Sequence, residues 1–200
     1  MNARDEILGR LRRAGFDAPL PAVPARRVGP GGADAAERFM ERARAADIDV
    51  VRVPDLGSLP EQVGRVLARA GARTVTMWDD PLLRPVADAL RREGLVITDD
   101  PAQADAGITT VDAAVAETAT LALGAGPGRP GSVSLLPPLH LAVLPEGRIV
   151  ATVSELWPSV NGPPSALWLI TGPSRTADIE HTPVRGAHGP VAVTVFLVGI

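Results

Sequence analysis

The sequence predicts an α/β protein: an open, mostly parallel sheet with antiparallel additions late in the chain, preceded by N-terminal helices. Three observations carry that prediction. Between residues 49 and 98, short β-rich runs alternate with amphipathic helical segments, the pattern of right-handed crossovers feeding a parallel sheet. Charge is unevenly divided, with 16 Arg and 16 Asp+Glu in residues 1–100 but only 4 and 7 in residues 101–200. The first half therefore suits helices with solvated faces, and the second suits buried strands and turns. Hydrophobic residues make up 46% of the 200 positions and charged residues 22%, the composition of a globular core-former.

The elements follow in order. Ile7, Leu8 and Leu11 form an apolar stripe in the charged stretch 2–14, a short helix stopped at Gly15. Residues 16–32 are rich in Pro and Gly and read as a linker or extended arm. This divides the chain into a helix-plus-arm over 1–32 and an α/β domain over 33–200. Residues 33–46 should be helical and 49–53 a strand. Ser58, Pro60 and Glu61 open the next helix, with Ser as its cap and Pro in its first turn. A strand at 74–77, a helix at 81–92 and a strand at 95–98 complete the alternating part. Beyond residue 104 the pattern turns strand-rich: 106–108, 120–123, 133–136, 139–144, 166–170 and 191–198, interrupted by a short helix at 152–157.

Composition excludes several chemistries. The chain has no Cys, so it offers no disulfide, no thiolate nucleophile and no thiolates to hold an iron–sulfur cluster of its own. All 20 basic residues are Arg, which rules out a Schiff-base lysine and a Walker-type phosphate lysine. A net charge of −3 argues against electrostatic binding of nucleic acid or anionic membranes. No apolar run approaches the roughly 18 residues of a membrane span. The mixed charge of residues 1–13 is unlike a secretory signal, and a cytoplasmic location is expected. The histidines at 140, 181 and 188 lack a metal-ligand spacing, so no metal site is expected. Gly124, Gly126 and Gly128 precede Arg129-Pro130-Gly131, which cannot open a helix. That stretch reads as a flexible connection rather than a dinucleotide loop. Trp78, Trp157 and Trp168 are read as core or interface anchors.

Three segments remain as candidates for chemistry. Thr109 and Asp112 have capping-box spacing, which predicts a short helix ending near Glu117. A carboxylate in a last helical turn faces the negative end of the helix dipole, a setting for acid–base work; the plainer alternative is a solvated or Arg-paired side chain. The second segment, residues 171–180, follows an apolar strand, and in open α/β sheets ligands bind beyond strand carboxyl ends. Gly172 allows a tight turn, Ser174 and Thr176 supply hydroxyls, and Arg175 can grip a carboxylate or phosphate. Asp178 and Glu180 add two carboxylates; the alternative is a turn with a surface salt bridge. In the third segment His188 lies between small residues that would admit a ligand, and His140 could be its buried partner.

These segments occur in one order: Gly-Ile-Thr at 107–109, Ala-Glu-Thr-Ala-Thr at 116–120, Ser-Leu-Leu-Pro-Pro at 134–138 with His140, Thr-Gly-Pro-Ser-Arg-Thr-Ala-Asp-Ile-Glu at 171–180, and Gly-Ala-His-Gly-Pro at 186–190. Together they resemble the lactate-utilization (LUD-domain) family, the block 171–180 most specifically. Two departures stand out: Ala119 replaces a usual Gly, and the loop 160–165 is short. The resemblance implies a fold similar to the sugar-isomerase/CoA-transferase superfamily. It also implies a cytoplasmic role in L-lactate oxidation beside iron–sulfur lactate-utilization proteins, with the clusters on those partners and no cofactor on this chain. Glu117 and His188 are the expected acid–base residues. Thr118, Thr120, His140, Gly172, Ser174, Arg175, Thr176, Asp178 and Glu180 are expected to bind a small anionic ligand. Alternatives are a stand-alone enzyme of the same superfamily, acting on a phosphosugar, CoA thioester or folate, and a non-catalytic regulatory module. Self-association stays open.

Overall fold

The computed structural model describes residues 3–13, 34–159, 164–177, 183–186 and 188–199. Six strands make the main sheet: β1 (Ile48–Val53), β2 (Thr74–Met77), β3 (Val96–Ile97), β4 (Ala106–Thr110), β7 (Leu139–Pro145) and β12 (Ala192–Val198). Their spatial order is β1-β12-β7-β4-β2-β3, and every neighbouring pair is parallel. The central strands β4, β7 and β12 are buried almost end to end. Near-continuous apolar runs are what a parallel strand covered on both faces requires. At the edge, β1 instead exposes Asp49 and Arg52.

A smaller four-stranded sheet runs β8-β5-β6-β9, formed by β8 (Ile149–Val150), β5 (Ala113–Val115), β6 (Thr120–Gly124) and β9 (Leu167–Ile170). Its β5–β6 and β6–β9 pairs are antiparallel. A third, two-stranded antiparallel ribbon pairs β10 (Arg175–Ala177) with β11 (Pro183–Arg185). The mostly parallel sheet with late antiparallel additions is therefore the observed architecture.

Helices α1 (Ala3–Arg13), α2 (Ala35–Ala45), α3 (Leu59–Ala70) and α4 (Arg84–Arg92) match the amphipathic segments of the first half. Helix α2 buries Phe39, Met40 and Ala43, while α3 buries Leu59, Val63 and Leu67, the i, i+3, i+4 spacing of a core-facing stripe. Ser58 occupies the cap position of α3 without a side-chain cap bond. Its hydroxyl donates to Asp55 Oδ1 at 3.1 Å instead. No helix among the described residues is long and apolar enough to cross a membrane.

Two local expectations are corrected. Residues 113–115, expected inside a short helix, are strand β5, because Ala113, Ala114 and Val115 are all buried there and pair with both β6 and β8. The helix-dipole argument for Glu117 falls with that helix. Residues 133–136, expected as a strand, lie mainly in the short helix α5 (Ser132–Leu135). The run Val-Ser-Leu-Leu is too short to fix its period, and the tertiary packing decides it. A Cβ at Gly107 would sit 1.8 Å from Val133 O, so α5 lies directly on β4 where only glycine leaves room. The short helix expected at 152–157 appears as α6 (Val153–Ser159).

The connection 124–131 is tied down rather than flexible. Gly124 N donates to Asp112 Oδ2 at 2.7 Å, Asp79 N donates to Gly128 O at 2.9 Å, and Arg129 pairs with Asp112 at 2.8 Å. The Arg129 guanidinium also stacks 4.2 Å from the Trp78 ring centroid. Trp78 is a core anchor and Trp168 packs over Gly131, whereas Trp157 is exposed.

Candidate functional site

The loop after β9 is built against the end of α2. Gly172 has φ +89, and a Cβ there would meet Ala46 O at 2.4 Å, so glycine serves both the left-handed backbone and the close approach. Arg175 Nη2 donates to Ala46 O at 3.4 Å and is ion-paired with Asp47. Asp47 itself has φ 55, a conformation that Asp tolerates better than most residues. Both members of this pair are nearly half exposed, Arg175 at 45% and Asp47 at 43%. The pair is thus worth about 0.2–1 kcal/mol.

Ser174 knits this loop to the segment before β12. Its N–H donates to Pro190 O at 2.8 Å and its carbonyl accepts from Gly186 N at 2.9 Å. Its hydroxyl accepts from His188 N at 3.3 Å. His188 is exposed, and it is the His188 backbone that meets Ser174, while the Arg175 side chain turns to Ala46 and Asp47.

This loop lies at the amino ends of the main strands, not their carboxyl ends. Ala46 and Asp47 immediately precede β1, Pro190 precedes β12, and Val191 N bonds Pro138 O just before β7. The carboxyl-end argument fails here because β9 belongs to the smaller sheet. A cavity of about 340 Å³ opens beside the loop, lined by Arg44, Asp47, Asp49, Pro173, Val191 and other residues at the starts of β1 and β12. A second cavity, of about 360 Å³, does lie at strand carboxyl ends. It follows β2 and β3 and includes Trp78, Asp79, Asp80, Arg84 and Asp99.

Glu117 sits in the turn between β5 and β6. Its N–H donates to Ala151 O at 3.2 Å, and its Oε1 accepts from Val153 N, the first residue of α6, at 3.2 Å. Next to it, Thr118 Oγ1 and Thr120 Oγ1 are 2.7 Å apart, and Thr120 Oγ1 is 2.7 Å from Thr171 Oγ1. This hydroxyl chain joins the Glu117 turn to the head of the Arg175 loop. Ala119, where the resemblance expects Gly, has φ 53 and is fully buried. Its left-handed backbone costs about 1–2 kcal/mol for a residue with a Cβ.

His140 lies inside the sheet. Its ring is fully buried, with Nε2 2.9 Å from Thr109 Oγ1 and Nδ1 without a hydrogen-bond partner among the described residues. Burial pushes its pKa down from 6.5 to about 4, so the ring is neutral at pH 7. A neutral, enclosed imidazole does not reach a ligand at the exposed loop in this arrangement. Asp178 and Glu180 lie outside the described residues, and Thr176 is described only as part of β10. Among the described residues no group of three His, Cys, Asp or Glu is arranged to hold a metal ion.

Sequence reasoning missed Asp47, which nothing in its neighbourhood distinguishes from other surface carboxylates. It also missed the acidic cavity beyond β2 and β3. The helix expected from residue 81 was visible, but the position of its start at a strand's carboxyl end needed the sheet order.

The sheet order and the attached antiparallel sheet define an α/β protein class with solved members. The chain aligns with a DUF162 family protein from Deinococcus radiodurans, known by crystal structure, at a TM-score of 0.64 and 23% identity. The alignment covers 85% of this chain and all of that one, and it bears on the fold. A family profile for the LUD domain matches residues 36–198. Lactate utilization protein C of Halalkalibacterium halodurans is 32% identical over 166 residues, covering 74% of this chain and 72% of that protein. Lactate utilization protein C of Macrococcus caseolyticus is 31% identical over 157 residues, covering 70% and 68%. The chain belongs to the LUD domain family.

Proposed function

We propose that this chain works in lactate utilization, as the metal-free subunit of a cytoplasmic, iron–sulfur-dependent system oxidising L-lactate. The observation that carries this reading is the similarity, at about one-third identity over some 70% of the chain, to proteins named Lactate utilization protein C. With no Cys in the sequence, cluster thiolates would come from partner proteins. The loop 171–175 would hold a small carboxylate or phosphate through Arg175 and Ser174, with Thr118 and Thr120 carrying the hydroxyl chain toward Glu117. His188 stands at the rim of that loop and Glu117 at its far end, as the acid–base candidates.

The test is growth. A strain deleted for its own copy should fail on L-lactate as sole carbon source and recover with the wild-type gene. Arg175→Ala, supplied instead, should restore growth poorly. Normal growth of the deletion strain on L-lactate would remove the pathway role.

A second reading follows from Glu117, whose carboxylate accepts from Val153 N and whose turn leads into the chain of three hydroxyls. In it the chain is a stand-alone enzyme with Glu117 as base or nucleophile. Turnover of a phosphosugar, CoA thioester or folate by the purified chain without a partner would favour it.

A further inference from the structure

We infer that β9 is an interface strand, pairing antiparallel with β9 of a second copy of this chain across a two-fold axis. The smaller sheet then runs unbroken through both copies. This surface is independent of the pathway role proposed above.

The sheet edges differ in how they are protected. An edge strand offers unpaired N–H and C=O groups, and proteins blunt such edges by keeping them short or by placing charges or Pro on them. Strands β3 and β8 are each two residues long. Strand β1 exposes Asp49 and Arg52, and the β10–β11 ribbon carries Arg175, Pro183 and Arg185. Strand β9 also stands at an edge, yet it is four residues long and reads Leu-Trp-Leu-Ile. The sequence holds no charged residue between Glu155 and Arg175. Among the described residues, this edge alone lacks a blunting device.

The β9 backbone is set to pair. Ala125 N donates to Ala166 O at 2.8 Å, and antiparallel bonding alternates residue by residue along a strand. With Leu123 opposite Trp168 and Leu121 opposite Ile170, Trp168 and Ile170 bond to β6. Leu167 and Leu169 therefore turn their N–H and C=O groups to the open edge, where no described residue bonds them.

A second β9 complements this edge. Centred on Trp168, two antiparallel copies place Leu167 of each opposite Leu169 of the other, and each such pair exchanges both of its backbone bonds. Apolar residues then face apolar residues, with no charge left to pair or repel. Leu156 of α6 joins Ala113, Val115 and Ala122 in one apolar cluster against which Leu167 packs, so α6 lies over the outer face of this sheet. That face extends the contact, because Leu169 is 46% exposed and Trp157, on α6, is 58% exposed. A contact of this symmetry closes on itself as a dimer rather than propagating.

The experiment is sedimentation equilibrium of the purified full chain, with amide hydrogen exchange followed by NMR in dilute and concentrated protein. So short a contact predicts a weak dimer, with a Kd on the order of 10 µM. Leu169→Lys places a charge in the apolar row, the device that natural edges use, and should raise the Kd by about tenfold or more. The Tm should not change, since the Leu169 side chain is half exposed. In wild type the N–H groups of Leu167 and Leu169 should gain protection as the dimer forms. Those of Trp168 and Ile170, already bonded to β6, should be protected at both concentrations. The exchange measurement needs no variant, so it decides the matter even where Leu169→Lys fails to fold. A wild-type chain that stays monomeric at about 200 µM overturns the inference and leaves the edge to a strand of another protein. A dimer whose Leu167 and Leu169 amides exchange as fast as in the monomer overturns it too, as does a folded Leu169→Lys variant of unchanged affinity.

Discussion

His140 and Arg175 both stand in the charge-poor half of the chain and both belong to family-like segments, yet the fold treats them oppositely. His140 is enclosed in the sheet, neutral, and bonded to Thr109. Arg175 is half exposed, charged, and held by a carboxylate from the far end of α2. A polar group sealed in an apolar sheet contributes to stability and acts through its protonation state. A polar group at the rim contributes little to stability and keeps its bonds exchangeable. Burial, more than residue type, separates structure from binding here.

The largest expected effect tests the buried side of this contrast. The folded pKa of His140, about 4, lies below the ordinary value of 6.5, so the unfolded chain takes up a proton in acid that the folded chain refuses. Its contribution is therefore complete above pH 6.5 and is lost as pH falls from 6.5 toward 4, by roughly 3 kcal/mol in total. Urea unfolding of wild type and His140→Gln across that range should give a steeper decline for wild type. Parallel curves would break the contrast.

On the exposed side, backbone should matter more than charge. Gly172→Ala combines a left-handed backbone with a methyl group 2.4 Å from Ala46 O. It should cost about 2–3 kcal/mol in equilibrium unfolding. The smallest effect belongs to the ion pair itself. A double-mutant cycle with Asp47→Asn and Arg175→Gln should give a coupling below about 1 kcal/mol that shrinks as salt rises. A coupling of several kcal/mol, insensitive to salt, would make the pair a structural clamp.

Much of the fold was legible because its signals are local. The helical stripe Leu59, Val63, Leu67 and the continuous apolar runs of β7 and β12 reflect periodicities that a few consecutive residues carry. The failures were short. Thr109 and Asp112 have the spacing of a cap, but the residues after them are strand β5 because they fill a slot between β6 and β8. Val133 and its neighbours became helix α5 because Gly107, far back in sequence, leaves space for it. In the site, Gly172, Ser174 and Arg175 were readable as one candidate loop and His188 as a separate segment, and the structure joins the two through the His188 backbone and Ser174. Asp47 was not, since it lies 128 residues from Arg175.

The sequence by itself determined the alternation of strands and helices, the buried character of the second half, and the chemistry the chain lacks: no thiolate and no lysine amine. These follow from composition and from the periods of 2 and 3.6 that side chains obey within one element. Only the tertiary structure decided that the 171–175 loop lies at the amino ends of the parallel strands, that His140 is sealed and neutral, and that Asp47 holds Arg175. Each of those depends on which distant segments share a neighbourhood. That is settled by burying the apolar surface of the whole chain at once, and no local pattern encodes it.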